Sequence, residues 1–122
     1  MKIIIDKVTS EPNHSVSKTD IEIVLRHIPS DWVGAGNGFK ISSQLFKNTH
    51  WDRPVIENES TYIIMSRGFE KNYIIKELLI ELAIRPSGKG HNMIAHHINK
   101  NIRKILEEMI QPYYDKIIMD LK

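Results

Sequence analysis

The side chains able to do chemistry gather in one stretch of the chain. Glu81 is a carboxylate in the apolar run Tyr73 to Ile84, a setting in which it could act as a general base, and His91 follows after a short loop as a candidate ligand. Between them, Arg85-Pro86-Ser87-Gly88-Lys89-Gly90 is basic and glycine-rich and precedes a helix-forming segment. Backbone N–H groups and the dipole at such a helix start favour anions. Charge is distributed to match: no acid occurs between Glu81 and Glu107, whereas Arg85, Lys89, Lys100, Arg103, Lys104 and the histidines His91, His96 and His97 do. Arg85, Ser87, Gly88, Lys89, Gly90, His91, Arg103 and Lys104 thus form a candidate anion-binding rim suited to a phosphate or a nucleic-acid backbone.

Each of these residues also has a plainer role. Glu81 can pair with Arg85 one helical turn later. His91 fits a loop residue, and His96 and His97 share no face with it, so spacing makes no metal cluster of the three. The basic run can be a solvated face. It has no aromatic nearby on which a base could stack, which argues against sequence-specific reading. Trp32 and Trp51 fall in loops and read as core plugs, with a partner-surface role as the alternative. Serine, histidine and aspartate show no spacing that pairs a nucleophile with its base.

The elements that must position these residues follow from periodicity. Lys2 to Val8 reads as a strand that pairs with a later one. Ser17-Lys18-Thr19-Asp20 resembles a capping box ahead of Ile21, Val24, Leu25 and Ile28 at helical spacing, and Pro29 ends that helix. The glycine run Gly34 to Gly38 is a turn that opens a strand over Phe39 to Phe46. Lys47 to Ser60, with Trp51-Asp52-Arg53-Pro54, reads as an ordered loop, and Thr61 to Met65 as a strand. Tyr73 to Ile84 is a helix apolar on both sides, with Ile74, Ile75, Leu78 and Leu82 opposite Tyr73, Ile80 and Ile84 and with Glu77 and Glu81 on a flank. Arg85-Pro86 is expected to end it. A helix from about Asn92 carries a stripe of Ile94, Ile98, Ile102, Ile105 and Met109, and Pro112 divides it from a short final helix with Tyr113, Ile117 and Leu121. The expected fold class is α+β: a small antiparallel or mixed sheet with helices packed against it and a helical C-terminal half.

This layout resembles a small zincin of the SprT-like kind, over roughly residues 20 to 107. In that family the apolar helix bears His-Glu-x-x-His, and a Gly-His opens the helix that follows. The corresponding residues here are Ile80-Glu81-Leu82-Ala83-Ile84 and Gly90-His91-Asn92, with Ile98-Asn99 further on. The family's chemistry needs two imidazoles one turn apart on zinc, with the glutamate activating the bound water. Both imidazoles are isoleucine here, so Glu81 and His91 are at most a relic site, and the resemblance implies binding without catalysis. A second resemblance is to acetyl-CoA-dependent N-acetyltransferases, through the Arg-x-x-Gly-x-Gly pattern of Arg85 to Gly90. It implies a pyrophosphate cradle at Ser87 to His91, but it requires a strand before the loop and more strands after the helix.

With 122 residues, 41% of them hydrophobic, the chain suits one globular domain over residues 1–122. Having no cysteine, it offers neither a disulfide framework nor a thiolate metal site. A formal charge of +2 does not by itself imply nucleic acid. No charged-then-apolar leader and no long uncharged apolar run is present, so a cytoplasmic protein without membrane spans is expected. The reading is a non-catalytic zincin-like binding domain for a protein or anionic partner, with neither cofactor nor metal. The alternatives are a CoA-dependent acyltransferase and a structural or inhibitory interaction protein.

Overall fold

The computed structural model describes residues 2–9, 11, 13–33, 38–43, 55–59, 62–87 and 100–121. Strands β1 (Lys2–Ile5), β2 (Gly38–Ile41), β3 (Val55–Glu59) and β4 (Tyr62–Met65) form one sheet in the order β1-β2-β4-β3. The sheet is mixed: β1, β2 and β4 run parallel, and β3 lies antiparallel at the edge beside β4. The class expected from sequence holds. β3 falls where sequence suggests only loop; its alternation in Val55-Ile56-Glu57-Asn58-Glu59 is short, and its acidic composition is that of a protected sheet edge.

Register explains which face of the sheet is covered. Ile3, Phe39 and Ile63 align across β1, β2 and β4, as do Ile5, Ile41 and Met65; all but Ile5, which is 37% exposed, belong to the core or pack against it. The row between them, Ile4, Lys40 and Ile64, points the other way. Period-two alternation therefore gives the sheet one core-facing side, against which helices pack.

The helices are α1 (Lys18–His27), α2 (Lys71–Ser87) and α3 (Lys100–Asp120); α1 and α2 contact strands, and α3 packs on α2 and α1. The capping box of α1 is formed in full, with the Asp20 N–H donating to Ser17 Oγ at 3.2 Å and the Ser17 N–H donating to Asp20 Oδ2 at 2.8 Å. Ser17→Ala should lower the unfolding free energy by about 1 kcal/mol. A urea melt with a shifted midpoint and an unchanged slope would show it. Asp20 Oδ2 also accepts from Lys71 Nζ at 3.1 Å, which ties the start of α1 to that of α2.

Helix α2 is the spine. Ile74, Ile75, Leu78, Leu79, Ile80, Leu82, Ala83 and Ile84 are all buried, as expected for a helix apolar on both sides. It contacts β3, α3 and the 3₁₀ turn Ser30–Trp32. It does not stop at Arg85: it runs through Pro86 to Ser87. A proline in the last turn removes only one terminal hydrogen bond, and burial up to Ile84 outweighs the local preference of Arg85.

Helix α3 departs from expectation in two ways. Pro112 lies inside a continuous helix, with no break before a separate C-terminal one. Pro112 and Glu108 are both exposed, so the carbonyl that loses its N–H partner can turn to water, while Leu106, Ile110 and Ile117 hold the helix down on both sides of the proline. The buried stripe is also rotated. Leu106 and Ile110 are buried, with Ile102 and Met109 partly so, whereas Ile105, placed in the stripe by sequence spacing, is 46% exposed. Trp32 is buried and meets Tyr113 of α3 edge-on, ring centroids 4.9 Å apart, so it is a core plug. At the other end of these helices His27 Nε2 lies 2.5 Å from Asp120 Oδ2. Trp51, Ile94, Ile98, the Gly34–Asn37 part of the glycine run and Gln44–Phe46 of the second strand lie outside the described residues.

Candidate functional site

The face where α2 meets α3 carries two of the charged residues singled out from sequence, Arg103 and Lys104. Glu77 lies on α2 among apolar neighbours and is 0% exposed. Arg103 of α3 reaches it with a two-pronged contact, Nη2 to Oε2 and Nη1 to Oε1, the latter at 3.5 Å. Arg103 Nε also lies 3.6 Å from Glu107 Oε2, and Lys76 Nζ lies 3.4 Å from the same oxygen. A planar guanidinium suits this geometry, since its fork matches the two carboxylate oxygens. The result is a four-residue charge network that crosslinks the helices and compensates the one fully buried carboxylate of α2.

The network sorts the candidate rim. Arg103 directs its charge inward, whereas Lys104 is exposed and has no carboxylate partner among the described residues; the same holds for Lys100 one turn earlier. Lys104, Lys76, Glu107, Glu108 and Gln111 line an open groove of about 430 Å³ between the two helices. Further along α3 the Tyr114 hydroxyl is pushed above the usual phenol range, chiefly by burial and then by the Asp115 carboxylate. Arg85 and Ser87 lie in the last turn of α2, and Gly88, Lys89, Gly90, His91, His96 and His97 lie outside the described residues.

The relic-site positions are also placed. Ile80 and Ile84, which stand where the zincin resemblance puts imidazoles, are 0% and 4% exposed and belong to the core. Glu81 is buried at 7% and has an interaction partner. Its suggested partner, the Arg85 side chain, lies outside the described part of the structure. Among the described residues no three His, Cys, Asp or Glu side chains are grouped to hold a metal ion. The acyltransferase alternative needs a strand leading into Arg85, and the chain there is helix α2.

A second concave site was not legible in sequence. It lies at the carboxyl end of β1, where the chain turns towards α1, and is a crevice of about 330 Å³. Ile5 and Val16 supply apolar wall, and His14, Ser15, Lys18, Asp20 and Lys71 supply polar wall. His14 Nε2–H donates to the Asp6 carbonyl at 2.6 Å, since a carbonyl oxygen can only accept. Nδ1 of His14 and Oγ of Ser15 are buried and have no hydrogen-bond partner among the described residues. The available sequence signal was weak: a histidine and a serine in the short segment between a strand and a capping box.

The fold and these two sites define a small α+β domain with a mixed sheet. Comparison with protein-family models, curated proteins and solved structures finds no match. Function must therefore be argued from the sites themselves.

Proposed function

We propose that this domain is a non-catalytic, zincin-like scaffold that binds a phosphate-bearing partner through the outward cations at the start of α3 and the basic loop before it. The observation that carries this reading is the sorting of α3 cations by pairing. Arg103 turns in to Glu77, while Lys100 and Lys104, one turn apart, stay exposed without a carboxylate partner among the described residues. An unpaired pair of ammonium groups on one helix face attracts anions, and Arg85 and Lys89 extend the same acid-free stretch of sequence. The reading takes no catalytic step from Glu81, because both flanking imidazole positions are buried isoleucines.

The test is fluorescence anisotropy with short single-stranded RNA and duplex DNA, alongside calorimetry with inorganic phosphate. If Lys100 and Lys104 each neutralise one duplex phosphate, log affinity should fall against log salt with a slope of about −2, or roughly tenfold between 50 and 200 mM. Participation of Arg85 and Lys89 would steepen it to about −4. Lys100→Glu with Lys104→Glu should weaken binding by at least about tenfold and leave the thermal midpoint nearly unchanged, since exposed charges contribute little to stability. Binding that ignores both salt and the double substitution would refute the reading.

A further inference from the structure

We propose that β1 is a docking edge for a second copy of this chain, which pairs with it antiparallel about a two-fold axis at Ile4 and joins the two sheets into one. This surface shares no residue with the α3 cations and does not depend on the phosphate-binding reading.

The first argument is the backbone. β1 lies at the edge of the sheet, with β2 on one side and no strand on the other among the described residues. The Asp6 N–H donates to the Ile41 carbonyl, so in this parallel ladder the backbone groups of Ile4 and Asp6 are directed at β2 and those of Ile3 and Ile5 at the open side. There the Ile3 and Ile5 groups have no partner among the described residues. Such a row is a template for another strand. An antiparallel copy centred on Ile4 sets Ile3 opposite Ile5 of the second copy, and that pair exchanges both of its N–H···O bonds. The two-fold repeats the exchange at Ile5, so every open group of both residues is met.

The order of side chains is the second argument. Lys2-Ile3-Ile4-Ile5-Asp6 is apolar in the middle and oppositely charged at its ends. A two-fold contact requires a surface complementary to itself, and rotation about Ile4 places Lys2 opposite Asp6 of the second copy and Asp6 opposite its Lys2. Lys2 is exposed and has no carboxylate partner among the described residues, and the Asp6 side chain remains 30% exposed beside Lys40. A parallel copy in register would instead set Lys2 against Lys2. Ile5, 37% exposed, also gains an apolar neighbour in Ile3 of the second copy.

The opposite edge supplies the third. β3 breaks register between Ile56 and Glu59 and carries Glu57 at its centre, so a copy paired there would bring like charges together. β1 keeps an unbroken register and contains no proline. One edge is blunted and the other is self-complementary.

The experiment is sedimentation velocity on the whole chain over a concentration series. A short ladder gives a small interface, so the expected result is a reversible monomer–dimer equilibrium with Kd of about 10–100 μM. Lys2→Glu faces Asp6 of the second copy with like charge and should weaken self-association by about tenfold, as should Asp6→Lys. Mixed together, the two variants regain complementary pairs and should form a heterodimer of near wild-type affinity. Ile4→Cys provides an arm that does not rest on the folding of Asp6→Lys. In a chain without native cysteine it places two thiols across the two-fold in a non-hydrogen-bonded pair, about 4.5 Å apart at Cα and within disulfide reach. Mild oxidation should link that variant as a dimer and leave Lys2→Cys, which faces Asp6 and not its own copy, unlinked. The proposal is overturned if the protein stays monomeric at about 1 mM, if Lys2→Glu leaves the dimer unchanged, or if Ile4→Cys links no faster than Lys2→Cys.

Discussion

Replacing Arg103 with methionine is expected to lower the unfolding free energy by roughly 3–5 kcal/mol, the loss typical when one partner of a buried ion pair is removed. Glu77 is fully buried, so removing the guanidinium takes away the two-pronged contact that compensates its charge. A domain of this size has roughly 5–15 kcal/mol in total, so the variant should be close to the edge of folding at physiological temperature. Arg103→Lys should be intermediate, because an ammonium cannot reproduce the two-pronged contact. The informative comparison is Glu77→Leu combined with Arg103→Met, which removes both charges and keeps apolar volume. That double variant should unfold near the wild-type midpoint or above it. Chemical denaturation of the four proteins in the cycle gives the coupling directly. A coupling below about 1 kcal/mol, the level of an exposed pair, would mean that the crosslink does not hold α2 to α3.

The same network shows what sequence can and cannot specify. Periodicity identified α2 as buried on both sides, because a helix with isoleucine and leucine around its whole circumference has no other stable setting. It could not name the partner of Glu77, since Arg103 is distant in sequence and on another helix, and no local pattern encodes that approach. A buried glutamate demands a cation from somewhere; only the packing of α3 on α2 says which one. The basic rim was read from the sequence as a set, and tertiary structure divides it, with Arg103 turned to the helix interface and Lys104 to solvent. The two proline errors share one cause. Pro86 and Pro112 obey local rules that predict helix ends, and in each case burial of neighbouring residues exceeds the cost of one lost hydrogen bond. By contrast, the α1 capping box was legible because all its parts lie within four residues and act on one another. The crevice at β1 was not, because its walls come from a strand end, a loop and two helix starts.

Gly38→Ala is the second large effect, and it should act through β1. Gly38 begins β2 with φ at 152°, a conformation that L residues with side chains rarely adopt, and it faces Lys2 in the parallel ladder. A Cβ built there would lie 1.8 Å from the Lys2 carbonyl oxygen. That oxygen is backbone, so no rotamer change relieves the overlap; either the β1–β2 ladder opens or Gly38 changes conformation. The expected loss is at least about 3 kcal/mol, combining backbone strain with steric conflict. Since β1 is a four-residue edge strand, the relief can also be local, by release of β1 from the sheet while α2 and α3 stay packed. Hydrogen exchange separates the two routes. Local release should remove protection from residues 2–6, including the Asp6 N–H that donates to the Ile41 carbonyl at 3.0 Å, and should spare the α2 amides; global destabilisation should lower all of them together. Either way the crevice should lose its shape, because Asp6, which anchors His14, is carried at the end of β1. A Gly38→Ala protein with wild-type stability and full protection in β1 would show that the close approach to Lys2 is not what holds that strand in register.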